Sequence, residues 1–196
     1  MSADKDYLSL PFREFLTDIA ARTPTPGGGS VAASAGALAV SLGCMVLEYT
    51  IGKPRFAEHD AGLRAALAEL KAASESFARL MAEDMRAYEA VVAARKLDAV
   101  AQAAANAHAI SVPLEILTLA AKVAGLLDGI QPTTNPHLSG DLRAATILAC
   151  AAADAAACTV RDNLPNISDP VESARVRDLL DRHLAQATRC RDSATG

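Results

Sequence analysis

Apolar residues Leu8, Phe12, Phe15, Leu16 and Ile19 recur at helical spacing within residues 7–22, and the Pro24/Pro26 pair must end that element. The spacing predicts a short amphipathic helix acting as a lid. Next comes Thr23-Pro24-Thr25-Pro26-Gly27-Gly28-Gly29-Ser30 and an uncharged run over residues 31–47. The prolines hold the backbone extended, the glycines open conformations closed to other residues, and Ser30 stands where an N-cap is expected, so a helix is predicted over about residues 30–50. Within it Gly29, Gly36 and Gly43 recur every seven residues, with Ser34 and Ser41 at the same interval. This stripe of small residues predicts close approach by another helix.

Gly52 and Pro54 stop the helix. Residues 57–95 contain no proline, and Leu63, Leu67, Leu70, Phe77, Leu80, Met81, Met85, Tyr88 and Val92 recur at spacings that predict one long helix. Another helix is expected from about residue 99 to Leu127, bent or restarted near Ser111-Val112 by Pro113. Residues 128–140, with two prolines, two glycines, Asn135 and His137, read as an ordered loop. Asp141 then opens an Ala-rich helix of about 141–164, and a charged last helix, about 170–191, is expected on the outside. The predicted fold is all-α: one domain over residues 1–196, an elongated and mainly antiparallel bundle of five to six helices, two of them long or kinked.

Composition narrows the function classes. Hydrophobic residues make up 51% of the 196 positions but aromatics only 4%, which favours closely packed helices over a sheet. The net charge of −4 and the absence of a basic stripe argue against a nucleic-acid partner. Residues 26–47 are long enough to span a bilayer, but their Gly, Ala and Ser content and lack of flanking basic residues fit a buried bundle helix, so no membrane is expected. Cys44, Cys150, Cys158 and Cys190 form no CxxC pair and no cluster with histidine, which predicts reduced, mostly buried thiols and neither a disulfide framework nor a metal site. The start of the chain lacks the pattern of a secretion signal, and the expected location is the cytoplasm.

Familiar catalytic motifs are missing: there is no GxSxG, no HExxH and no lysine placed to complete a P-loop. A helix N-terminus approached through bare glycine suits an anionic or carbonyl-bearing ligand, while the same glycines also suit close packing. Lys53 and Arg55 sit at a helix end, where they complement its dipole or meet an anion. Glu83 and Asp84 fall inside the long helix, and Asp84 shares a face with Tyr88, four residues on. His59, His108 and His183 read as packing or surface residues, whereas His137 shares a loop with Asn135. A carboxylate in a dry groove has its pKa raised and relays protons.

The residues Pro24-Thr25-Pro26-Gly27-Gly28-Gly29-Ser30-Val31-Ala32-Ala33, Thr50-Ile51-Gly52-Lys53, Glu83-Asp84 with Tyr88, Val112-Pro113-Leu114, Asn135 with Asp141-Leu142, and Asn163-Leu164 occur in an order typical of one family. Over about residues 8–180 the chain resembles the formimidoyltetrahydrofolate cyclodeaminase and methenyltetrahydrofolate cyclohydrolase family. The resemblance implies an elongated helical homodimer, a folate-type ligand in a groove, and chemistry on a one-carbon unit bridging N5 and N10 of tetrahydrofolate. No cofactor beyond tetrahydrofolate as substrate carrier is implied, and no metal. By resemblance, Asp84 is the first choice as acid/base, and Asp141 and Asn135 orient the pterin or a water. Lys53 meets the folate's negative tail or the reacting centre, and Pro26, Gly27, Gly28, Gly29 and Ser30 line the groove with Tyr88 and His137 nearby. Departures from the family pattern stand at Gly140 and Thr159, where many members carry serine and asparagine, at Asp154, expected to face outward, and in a short stretch between Tyr88 and Pro113. The resulting expectation is a folate one-carbon enzyme, hydrolysing 5,10-methenyltetrahydrofolate or cyclodeaminating 5-formiminotetrahydrofolate. A non-catalytic binding protein and an enzyme of another C–N ring opening or closure are the alternatives.

Overall fold

A computed structural model describes residues 5–196. The described residues contain six α-helices and no strand: α1 (Phe12–Ile19), α2 (Gly28–Thr50), α3 (Asp60–Ala94), α4 (Ala99–Ile130), α5 (Ser139–Asn163) and α6 (Pro170–Thr195). The all-α bundle expected from the pattern is therefore the observed one. Helices α3, α4 and α5 each run against their predecessor: Gly52 N–H donates to Asp60 while Ser30 reaches Asp84, Glu83 meets His108 while Glu69 meets Lys122, and the end of α5 returns to α4 where Asn163 reaches Ala109; Cys150 ties α5 to α6 at Ala187.

The core is built by small residues that let helices close in. A Cβ added at Gly36 would lie 2.5 Å from Phe77 Cε1, and one at Gly43 would lie 2.5 Å from Leu127 Cδ2. Both are closer than carbon atoms can approach, so the seven-residue stripe of α2 is a packing seam for α3 and α4. Phe77, Leu47, Leu70, Met85, Leu117 and Leu127 fill the space around it, all at 1% exposure or less.

Several boundaries differ from the pattern. Helix α1 starts only after Pro11 and covers eight residues. Packing still makes it a lid, with Tyr7 and Phe15 buried against α2 and α3 and their rings 5.1 Å apart. Pro113 leaves α4 unbroken as a helix from Ala99 to Ile130. The proline lacks the N–H that would bond to the carbonyl four residues earlier. That carbonyl, Ala109 O, instead accepts from Asn163 Nδ2 at 3.2 Å. Residues 128–140 are also more helical than a loop, since α4 runs into short 3-10 turns at Gln131–Thr133 and Pro136–Leu138. Helix α6 packs on α4 and α5, burying Val176, Leu180, Ala187 and Cys190, and its Arg191 pairs at 2.7 Å with the half-buried Asp154.

The four thiols are free, Cys150 and Cys190 buried and Cys158 exposed; burial pushes Cys150 up to about 11. Three helical stretches, Gly28–Thr50, Ala99–Thr133 and Pro136–Asn166, are long and apolar enough to cross a membrane, and each is half or more buried inside the bundle. One face of α2 is only partly covered. Val31, Ala35, Leu38, Leu42, Met45 and Tyr49 follow alternating steps of four and three, and Leu38 and Tyr49 are 52% and 61% exposed. Neighbouring α5 likewise leaves Ala144, Ile147, Leu148, Ala151, Ala155 and Cys158 in solvent.

Candidate active site

The approach to α2 is built residue by residue. Thr25 and Pro26 are buried, the bond between them is cis, and Gly27 is extended at φ −118°. The helix begins at Gly28, with Gly27 O accepting from Val31 N–H at 3.0 Å. The N-cap position thus belongs to Gly27, and Ser30 lies within the first turn rather than at the cap. A side chain from another helix supplies the missing acceptor. Asp84 Oδ2 accepts from Ser30 N–H and from Ser30 Oγ, each at 2.8 Å.

Gly29 makes this possible, because a Cβ there would lie 2.5 Å from Asp84 Cγ and displace the carboxyl. The anion that the helix N-terminus attracts is therefore an internal one. Burial pushes the Asp84 carboxyl above its ordinary value, and the two Ser30 hydrogen bonds oppose that rise without cancelling it. Among the described residues Oδ1 accepts no hydrogen bond, so one oxygen is anchored and the other is unengaged. Ser30 itself is fully buried.

Around Asp84 the same end of the bundle gathers residues from α3, α4 and α5. Tyr88 stands one turn on along α3, 41% exposed. Glu83 turns toward α4, where its Oε1 lies 3.0 Å from His108 Nε2, so His108 is a paired residue rather than simple packing. From α5, Thr159 Oγ1 would sit 3.6 Å from a Cβ on exposed Gly28, an ordinary contact. Asn163 Nδ2 bridges Thr159 O and Ala109 O, fixing α5 to α4 beside Gly28. The sequence did carry the signal for this bridge, since a proline at 113 leaves the carbonyl at 109 needing a donor.

The remaining expected residues form a second group at the opposite end of α2, about 33 Å away at about 1.5 Å per residue. There Gly52 takes φ +78°, the left-handed conformation that favours glycine, and turns the chain so that Lys53 stands in solvent. Asn135 N–H donates to the buried Thr50 Oγ1 at 3.2 Å, and Asn135 Oδ1 accepts from His137 N–H at 3.1 Å. Asp141 lies half-buried in the first turn of α5. One chain therefore separates what a single groove was expected to join. Asp84, Tyr88 and the glycines are at one end; Lys53, Asn135, His137 and Asp141 are at the other.

Comparison with known proteins bears on this arrangement. The family profile described as formiminotransferase-cyclodeaminase matches residues 11–182. The chain belongs to the formiminotransferase-cyclodeaminase family. Formimidoyltransferase-cyclodeaminase of Sus scrofa is 30% identical over 194 residues, a match covering 94% of this chain and 36% of that protein. The chain thus spans about a third of the length of that relative. Methenyltetrahydrofolate cyclohydrolase of Methylorubrum extorquens is 30% identical, with 79% of each chain covered. The solved structure of formiminotetrahydrofolate cyclodeaminase from Thermotoga maritima superposes with a TM-score of 0.92 at 28% identity, covering 95% of this chain and 94% of that one. The resemblance drawn from the glycine-rich approach and its sequel is thus to the family the chain belongs to, and the helical fold is common to both structures.

Proposed function

We propose that the protein is a folate one-carbon enzyme that hydrolyses 5,10-methenyltetrahydrofolate to 10-formyltetrahydrofolate, with Asp84 as acid/base. The observation that carries this reading is the half-anchored carboxyl: half-buried, raised in pKa, with Oδ2 held by Ser30 and Oδ1 unengaged among the described residues. Such a group keeps its proton to higher pH than a solvated aspartate, which suits a carboxyl that takes up and returns a proton during turnover. In the reaction, water adds to the bridging carbon and passes a proton to Asp84. The carbon becomes tetrahedral between two nitrogens. Asp84 then returns the proton to N5 as the C–N5 bond breaks, while the hydroxyl loses its own proton to water and becomes the formyl oxygen.

The same group suits cyclodeamination of 5-formiminotetrahydrofolate. There N10 attacks the carbon of the protonated formimino group and gives its proton to Asp84, which passes it to the resulting amino group as ammonia departs and the methenyl cation forms. The close likeness to the Thermotoga maritima cyclodeaminase over nearly the whole chain favours keeping this second reading.

A complete site in this proposal needs two copies of the chain. The partly covered apolar stripe of α2 has coiled-coil spacing and is matched by exposed apolar residues on α5. A twofold axis near Leu38 and Leu42, with two α2 helices antiparallel, brings Gly28 and Asp84 of one protomer toward Lys53 and Asn135 of the partner subunit. Lys53 then meets the anionic tail of the folate, Asn135 and Asp141 orient the pterin, and His137 and the Pro26–Gly28 backbone line the groove. The same pairing buries the most exposed apolar residues of α2, as suits a bundle helix rather than a membrane span; a cytoplasmic protein without a nucleic-acid partner is part of the proposal, in line with the net charge of −4.

Incubation with 5,10-methenyltetrahydrofolate tests the function. Enzyme-dependent loss of its near-ultraviolet absorbance is expected; binding without loss contradicts the hydrolase reading. Release of ammonia from 5-formiminotetrahydrofolate in the same preparation assigns the second.

A further inference from the structure

The sequence groups Ser30 with the residues that line the groove, yet its geometry gives it another part. Its side chain is fully buried and already bonded, so it offers nothing to a ligand. Its N–H and its Oγ each lie 2.8 Å from one atom, Asp84 Oδ2, and the hydroxyl has a second, longer acceptor in Met81 O at 3.3 Å on the same helix. Oδ1 receives neither and is accommodated over Gly29, where a Cβ would collide with the carboxyl.

We infer that Ser30 is a positioning residue: it pins Oδ2 of Asp84 to the first turn of α2, so that proton transfer at this centre passes through Oδ1 alone. This rests on the reading of Asp84 as the acid/base. Two donors on one oxygen also favour the ionised carboxyl, against the burial that favours the protonated one. Other groups around this end do not take over that task. Glu83 faces His108 of α4 and Arg86 of its own helix, and Tyr88 is a turn away. The last turns of α5 carry Cys158, Arg161 and Asp162, and the first half of α2 has no ionisable side chain. The shift at Asp84 has only burial and Ser30 among its causes.

The test titrates the Asp84 carboxyl by 13C NMR in the full chain and follows the pH profile of methenyltetrahydrofolate loss for Ser30→Ala and Ser30→Thr. In Ser30→Ala the Asp84 titration is expected to move up by about one pH unit, with the acid limb of kcat moving equally, as expected for loss of one hydrogen bond to a charge. Ser30→Thr keeps the hydroxyl and is expected to restore both. Ser30→Cys, close in volume and a weak donor, carries the same expectation as alanine if that variant does not fold. An unmoved titration with activity lowered equally at every pH overturns the proposal and leaves Ser30 a packing residue. A shifted titration in Ser30→Ala, together with full turnover in Asp84→Asn, keeps the positioning and removes Asp84 from the reaction.

Discussion

At its N-terminal end α2 is closed by a carboxyl from α3, whereas at its C-terminal end the chain turns through Gly52 and leaves Lys53 in solvent. The first end has a half-buried acid whose hydrogen-bond partner is an uncharged serine; the second has an exposed cation, an amide in a short turn and a half-buried acid in the first turn of α5. Each end holds only part of the residue set that the family resemblance groups together. A rigid helix about 33 Å long cannot bring them together within one chain. The contrast teaches that residues grouped by a family's sequence pattern need not be neighbours in a protomer; in the proposed dimer a second copy joins them.

Substituting Asp84→Asn breaks the N-terminal end most severely. Turnover is expected to fall about a thousandfold, the middle of the range for a lost general acid/base. Stability moves the other way. Because burial raises the Asp84 pKa, the folded chain keeps this proton to higher pH than the unfolded chain, so ionising it weakens the fold as pH rises above 3.8. Thermal melts should therefore show Asp84→Asn at least as stable as the parent near neutral pH, with the difference vanishing in acid.

The two neighbouring glycines sharpen the same end. Gly29→Ala places a Cβ against the Asp84 carboxyl and is expected to reduce stability by about 1–3 kcal/mol, measured by urea unfolding, together with activity. Gly28→Ala meets only Thr159 Oγ1 at 3.6 Å and is expected to leave the melt nearly unchanged while weakening folate binding. Equal stability losses in the two variants would return Gly28 to scaffolding.

The smallest expected effect concerns the brace beside this site. Asn163→Ala removes the donor to Ala109 O and is expected to destabilise the chain by about 1–2 kcal/mol. Pro113→Ala restores an N–H to that carbonyl, so in the double variant the loss from Asn163→Ala should shrink.

Much of the fold was legible because periodicity and breakers are local: the helices follow from apolar spacing and from the breaks at the Pro24/Pro26 pair and at Gly52 and Pro54, with Asp141 in the first turn of α5. The stripe Gly29, Gly36 and Gly43 announced a packing seam but not what packs there, since Phe77, Leu127 and Asp84 arrive from distant sequence. The candidate site was legible as a set of residues and illegible as a geometry. Nothing local indicates that Ser30 serves Asp84, that His108 meets Glu83, or that Lys53 lies a helix length from the acid. Those are long-range pairings, and each depends on how antiparallel helices align.

The composite site is tested most directly by mixing two inactive variants, Asp84→Asn and Lys53→Ala, under conditions that exchange subunits. A mixed dimer pairs the intact Asp84 of one protomer with the intact Lys53 of the other at one of its two sites. Random exchange is then expected to restore about a quarter of the parent activity, since half of the dimers are mixed and each has one good site. Mixtures that remain as inactive as the separate variants, despite demonstrated exchange, would contradict the account and require both residues to act within a single chain.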